Sequence, residues 1–179
     1  MRNSKPSWQD LRLTDRIAAG VRVLLVGINP GVRSAETGHH FAGPSNRFWK
    51  LLYDSRLVPE PITCVDDARL PEWGYGITNV IARPTPGIDT LTRDEYVAGS
   101  ARLRRKIRRY RPQVVALVGV TVFRALFPNS RGRARTGAVA LGLQKERLGN
   151  AEVFVLPNPS GRNANFSYAE MLDAFRSLA

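Results

Sequence analysis

Two short segments set an asparagine beside proline and glycine: Gly27-Ile28-Asn29-Pro30-Gly31 and Asn158-Pro159-Ser160-Gly161. Turns of this composition fix an amide side chain and leave backbone N–H groups open to a ligand. An amide carries both a donor and an acceptor, so it can hold a water or read the edge of a heterocycle, but it is a poor proton carrier. Either asparagine alone reads as a turn former. Both placed at the ends of buried strands read better as parts of one ligand site. Neither segment has the GxGxxG spacing of a dinucleotide loop or the lysine of a phosphate-binding loop.

The elements that must position these turns follow from the hydrophobic pattern. Residues 21–26 are an apolar run that predicts a buried strand leading into Gly27. A polar loop, Thr37-Gly38-His39-His40-Phe41-Ala42-Gly43, precedes an expected helix over 44–53, with Phe48, Leu51 and Leu52 at core spacing. Residues 76–81 predict a second strand, closed by Arg83-Pro84-Thr85-Pro86-Gly87. Thr92-Arg93-Asp94-Glu95 is a capping box opening a long helix. Tyr96, Leu103, Ile107 and Tyr110 form the apolar stripe of that helix. Arg102, Arg104, Arg105, Lys106, Arg108 and Arg109 crowd the rest, reading as a solvated face with some phosphate contacts.

Residues 114–118 predict a third strand, 121–127 a short helix, and 129–137 an irregular Arg/Gly-rich stretch. Residues 152–156 predict a fourth strand running into Asn158, and Ser167 with Glu170 caps a last helix. Strands alternating with helices predict an α/β fold with a mostly parallel sheet covered on both faces. Residues 1–20 read as a lead-in and 21–179 as one domain.

Composition narrows the partner. The net charge of +12 favours polyanions, and phosphate contacts supply most non-specific nucleic-acid affinity. The single cysteine, Cys64, excludes an intrachain disulfide and a four-cysteine metal site. His39 and His40 are adjacent, poor spacing for two ligands of one metal, so neither a metal nor a cofactor is expected. No apolar run reaches the length of a membrane span, and the first residues lack the apolar core of a secretory signal. The expected location is cytoplasmic, at the nucleoid through DNA binding.

These segments, with the block Gly38-His39-His40-Phe41-Ala42-Gly43-Pro44-Ser45-Asn46-Arg47-Phe48-Trp49 and Gly76-Ile77-Thr78-Asn79, resemble the mismatch-specific uracil/thymine-DNA glycosylase family. That family lies within the uracil-DNA glycosylase superfamily, and the resemblance covers about residues 20–178, with the motifs in the family's order. It implies a three-layer α/β/α domain with a four-stranded sheet. It also implies a monomeric, monofunctional enzyme that flips uracil, or another mismatched or damaged pyrimidine, out of duplex DNA and leaves an abasic site.

On this resemblance Asn29 positions the attacking water and Phe41 stacks on the flipped base. Backbone groups of Gly27, Ile28, Gly31 and Phe41 border the pyrimidine, with N–H groups near Ile28 and Phe41 holding its oxygens. Asn79 and Asn158 read its edge. The loop Ser160-Gly161-Arg162-Asn163 enters the gap in the duplex, where Arg162 could bond the orphan guanine. It departs from the apolar-then-arginine pattern of some relatives. A histidine at 158, present in fast uracil-specific relatives, is absent, so the residue choice predicts a slow enzyme.

Asp89 follows the 83–87 turn on a loop leaving a strand end. Since Asn29 cannot take a proton, Asp89 is a candidate water activator or cation stabiliser. The same aspartate would also favour the helix start at Thr92.

Overall fold

The computed structural model describes residues 7–130 and 138–179. Most of the expected irregular stretch 129–137 lies outside the described residues. Five strands form one sheet: β1 (Val23–Gly27), β2 (Tyr75–Asn79), β3 (Val114–Val118), β4 (Gly142–Leu148) and β5 (Ala151–Leu156), in the order β2-β1-β3-β5-β4. β2, β1, β3 and β5 run parallel, so their C-terminal ends share one edge of the molecule, while β4 is antiparallel to β5.

The apolar runs become central strands because both faces of the sheet are covered. Val23, Leu25, Ile77, Ala116 and Phe154 point to one side. There they pack on α2 (Phe48–Asp54) through Phe48, Leu51 and Leu52, and on α5 (Tyr168–Arg176) through Met171 and Phe175. Leu24, Val26, Val115, Leu117 and Val153 point to the other side, against Leu103 and Ile107 of α3 (Arg93–Tyr110) and Val122 and Phe123 of α4 (Val120–Leu126). The α/β class and the three layers are as the sequence implies.

The sheet has one strand more than expected. β4, with the sequence Gly-Leu-Gln-Lys-Glu-Arg-Leu, lies at an edge, and only Gln144 and Leu148 in it are buried. A solvated edge strand has no continuous apolar run, so its sequence carries a weak signal. The helix expected from Pro44 begins instead at Phe48, after a turn in which the Asn46 side chain accepts the Phe48 N–H at 2.9 Å.

The lead-in is tied to the sheet from Asp15 onward. Arg16 makes an antiparallel bridge with Ile77, and Asp15 pairs with Lys106 of α3 at 2.6 Å. Among the described residues no helix is long and apolar enough to cross a membrane.

Candidate active site

A cavity of about 290 Å³ opens at the C-terminal ends of the parallel strands, where α/β sheets place their ligands. This is the low end of the small-molecule range, room for a single base rather than a dinucleotide. Gly27, Ile28, Asn29, Gly31, Phe41, Asn79, Asn158 and Ser160 all line it. The two Asn-Pro turns therefore meet in one place, as their positions at two strand ends require.

Asn29 is the most tightly determined side chain of the site. Its Nδ2 donates to the Thr85 hydroxyl at 2.7 Å, to the Arg83 carbonyl at 3.0 Å and to the Pro30 carbonyl at 3.2 Å. The Thr85 hydroxyl in turn donates to the Gly87 carbonyl at 2.5 Å, so toward Asn29 it can only accept. Every group facing this nitrogen is thus an acceptor, which fixes which end of the amide is which. Oδ1 accepts no hydrogen bond among the described residues and is not buried. What remains is one oriented acceptor at the cavity.

The turn that supplies these acceptors is clamped from behind. Arg83 makes a bidentate pair with Glu95, at 2.6 and 3.0 Å, and Glu95 also closes the capping box of α3 with Thr92. The hydrogen bonds from Arg83 and then from the Thr92 backbone bring the Glu95 carboxyl down to about 2. A chain of contacts therefore runs from the start of α3 through Glu95 and Arg83 to the nitrogen of Asn29.

Phe41 has a left-handed backbone, φ 50°, unusual for a residue with a β-carbon. One face of its ring stacks on Phe48, with centroids 4.2 Å apart, while the residue also lines the cavity. The strain is held by a clamp around a buried carboxylate. Asp67, fully buried in the 3-10 segment Cys64–Trp73, accepts the His40 backbone N–H at 3.0 Å and contacts His40 Nδ1 at 3.1 Å, His39 Nδ1 at 3.2 Å and Arg16 Nε at 3.0 Å. Trp49 Nε1 donates to the His40 carbonyl at 3.0 Å.

Burial pushes the Asp67 carboxyl up. The hydrogen bonds from the His40 side chain and backbone and from His39, with the Arg16 charge, outweigh it and bring the group down to about 2. An ionised carboxylate only accepts, so both imidazoles turn Nδ1–H toward it. His40 Nε2 is buried without a hydrogen-bond partner among the described residues.

Gly27 is required by close approach. A β-carbon there would stand 2.6 Å from Asn79 Oδ1 and 3.4 Å from the Phe41 ring. The Asn79 amide makes no hydrogen bond among the described residues, which leaves donor and acceptor free for a base edge. The N–H groups of Ile28 and Phe41 are likewise unpaired among the described residues.

Asn158 is used differently. Its Oδ1 accepts the Ser160 N–H at 3.0 Å, holding its own turn and leaving the Nδ2 donors. The following loop is built from similar local bonds: Ser160 Oγ accepts the Arg162 N–H, and Asn163 Oδ1 accepts the Asn165 N–H. Asn163 Nδ2 donates to the Asn158 carbonyl at 2.8 Å, so Asn163 braces the loop. Gly161 packs on Ser45, where a β-carbon would come within 2.6 Å. Arg162 is exposed at the tip without a protein partner among the described residues.

Asp89 is not gathered in. It lies exposed on the 3-10 turn Ile88–Thr90, and its neighbours Gly87 and Ile88 line the cavity while it does not. Thr85 is the residue that sequence reading passed over. The prolines flanking it signalled a rigid turn, but not that its hydroxyl would orient Asn29. Asp67 carried no signal at all, sitting in a segment without helical or strand periodicity. Among the described residues no group of His, Cys, Asp or Glu side chains is arranged to hold a metal ion.

The chain that builds this strand-end cavity, with an Asn-Pro turn from each of two parallel strands, is similar in sequence to known proteins. The sequence model of the uracil DNA glycosylase superfamily matches residues 14–179, and the chain belongs to that superfamily. Within it, the chain is similar to the G/U mismatch-specific uracil DNA glycosylase of Schizosaccharomyces pombe, with 38% identity over 156 residues. That alignment covers 86% of this chain and 48% of the yeast protein, so the chain spans about half the length of this relative.

Proposed function

We propose that this protein is a monofunctional glycosylase that hydrolyses the N-glycosidic bond of uracil opposite guanine in duplex DNA. Thymine or a damaged pyrimidine in the same position would be a further substrate. The observation that carries this reading is the Asn29 amide, its nitrogen held by three acceptors and its oxygen left free beside Phe41 and Asn79. The likeness to a G/U mismatch-specific enzyme supports the choice of base and mispair.

The target base must leave the stack, because the bond to its sugar is inaccessible within the duplex. The extruded pyrimidine lies on Phe41, with its edge toward Asn79 and Nδ2 of Asn158. As the C1′–N1 bond breaks, positive charge grows on the sugar and negative charge on the base. The unpaired N–H groups of Ile28 and Phe41 stabilise the departing anion, as an oxyanion hole would. Asn29 Oδ1 accepts a hydrogen bond from the water that adds to C1′, and the proton it sheds passes to solvent. Among the described residues no lysine lines the cavity, so the abasic sugar is released unmodified. One copy of the chain supplies every group in this scheme.

A labelled duplex with a single U·G pair, incubated with the protein and then treated with hot alkali, tests the reading. A strand break at the uracil is expected. Retention of the duplex without a break would make the protein a lesion binder, and neither outcome would return it to another class of α/β enzyme. Parallel duplexes with T·G and with single-stranded uracil rank the substrates.

Asp89 gives a second prediction. With its carboxylate outside the cavity lining, Asp89→Asn is expected to leave single-turnover release within a few-fold of wild type and the pH profile superimposable. A lost acid–base group would cost ~10²-fold or more. Loss on that scale, together with loss of an acidic limb, would put Asp89 into the chemistry.

A further inference from the structure

The outward face of α3 carries charge for which the fold gives no reason. Arg102, Arg104, Arg105, Arg108 and Arg109 are exposed, and Arg111 follows at the helix end. None pairs with a carboxylate among the described residues, and the only acidic residues of the helix, Asp94 and Glu95, stand in its first turn. At about 100° per residue, the five helical arginines cover roughly 160° centred opposite the Leu103–Ile107 stripe buried on the sheet.

Arg104/Arg108 and Arg105/Arg109 are four residues apart, and Arg102/Arg105 and Arg105/Arg108 three apart. Like charges at those spacings destabilise a helix. The helix dipole offsets this for Arg108 and Arg109 in the last turn, but not for Arg102, Arg104 and Arg105. The helix is therefore less stable than its neutral counterpart would be, and a partner that neutralises the row would remove the penalty.

The row does not belong to the cavity. Gly99 packs against Val80, just past the cavity end of β2, and from there α3 runs back along the sheet toward the start of β3. Arg104 to Arg111 lie five to twelve residues further on, about 8–18 Å toward the opposite edge. They face along the sheet normal, whereas the cavity opens along the strands. A straight duplex laid over the strand ends would not cover them.

We propose that this face is a second polyanion surface that takes the phosphate backbone of a nucleic-acid segment other than the one at the cavity. Guanidinium groups suit this partner, since they bond phosphate oxygens through paired N–H groups and keep their charge at any physiological pH. A row of five at helical spacing, with no acidic residue in the helix beyond its first turn, reads backbone and not sequence. The protein could then hold one stretch of duplex while its cavity engages another.

The test compares the whole chain with a variant carrying Arg104→Gln, Arg105→Gln, Arg108→Gln and Arg109→Gln, using an undamaged twelve-base-pair duplex at low salt. Sedimentation is expected to give two duplexes bound per wild-type chain at saturation and one per variant chain. The slope of log affinity against log salt for the second site should vanish with it, a loss of about 3–4 for four phosphate contacts. Base release from a short U·G duplex should be unchanged, and the variant should melt no lower than wild type. Two duplexes on the variant, or one on the wild type, would overturn the proposal. So would tighter binding of poly-glutamate or of anionic lipid vesicles than of duplex, which would point to an acidic protein or a membrane instead. None of the binding readouts depends on which base the cavity takes.

Discussion

Replacing Asn29 by alanine is expected to lower single-turnover base release by at least about 100-fold, with fold and DNA affinity nearly unchanged. The alanine removes the acceptor that the Arg83, Pro30 and Thr85 oxygens orient at the cavity, and leaves those oxygens without their donor. Aspartate is the sharper probe. In water a carboxylate would be the better cation stabiliser, yet here it would face two carbonyls and a hydroxyl that already donates to Gly87. Those acceptors repel a second anionic oxygen, so the carboxyl at this position is held protonated to higher pH than usual. Protonated, it can donate to Arg83 and present its other oxygen as Asn29 does. Release by Asn29→Asp should therefore lie below wild type at neutral pH and rise as the pH falls. Rates for both variants across pH 5–9 check this. Near-wild-type release by the alanine variant would remove Asn29 from the mechanism, and an aspartate variant faster than wild type at neutral pH would mean that the surrounding carbonyls impose nothing.

How far the sequence revealed this site depends on the range of the interactions involved. The central strands were legible because a buried parallel strand is a run of apolar residues, and the two Asn-Pro turns because such turns are local. β4 was not, since an edge strand of Gln, Lys, Glu and Arg reads like a loop. Phe41 could be named from motif resemblance, but its left-handed backbone could not, because the groups that hold it come from residues 16, 49 and 67. Thr85 shows the same limit. Its turn was visible in the chain, while its bond to Asn29 spans 56 residues and exists only once β1 and β2 pair. Asp89 shows the converse: a carboxylate two residues past a turn that lines the cavity is not itself among the lining residues.

The same long-range logic makes Asp67 the position where substitution should cost the most stability. It is fully buried, and removing its carboxylate leaves the His40 N–H groups without their acceptor in the interior and the half-buried Arg16 without its ion-pair partner. Breaking a buried ionic cluster from one side costs about 3–5 kcal/mol, so Asp67→Ala is expected to lower the melting temperature by about 10 °C or more at neutral pH. Asp67→Asn keeps the volume but offers one neutral acceptor in place of two anionic ones, and should lie between. The pH dependence follows from the lowered carboxyl. A group at about 2 in the folded chain and near 3.9 when unfolded contributes stability that is complete above ~pH 5 and is lost as the pH falls toward 2. The gap between wild type and Asp67→Asn should therefore narrow over that window, which denaturation at pH 6, 4 and 2.5 would measure. A purely structural clamp would change nothing else. If the clamp also sets the Phe41 platform, Asp67→Asn should slow base release well below its melting temperature, with binding of an undamaged duplex unaltered. A constant stability gap from pH 6 to 2.5 would mean that the carboxylate is not ionised in the folded protein. Unchanged release would detach Phe41 from its support.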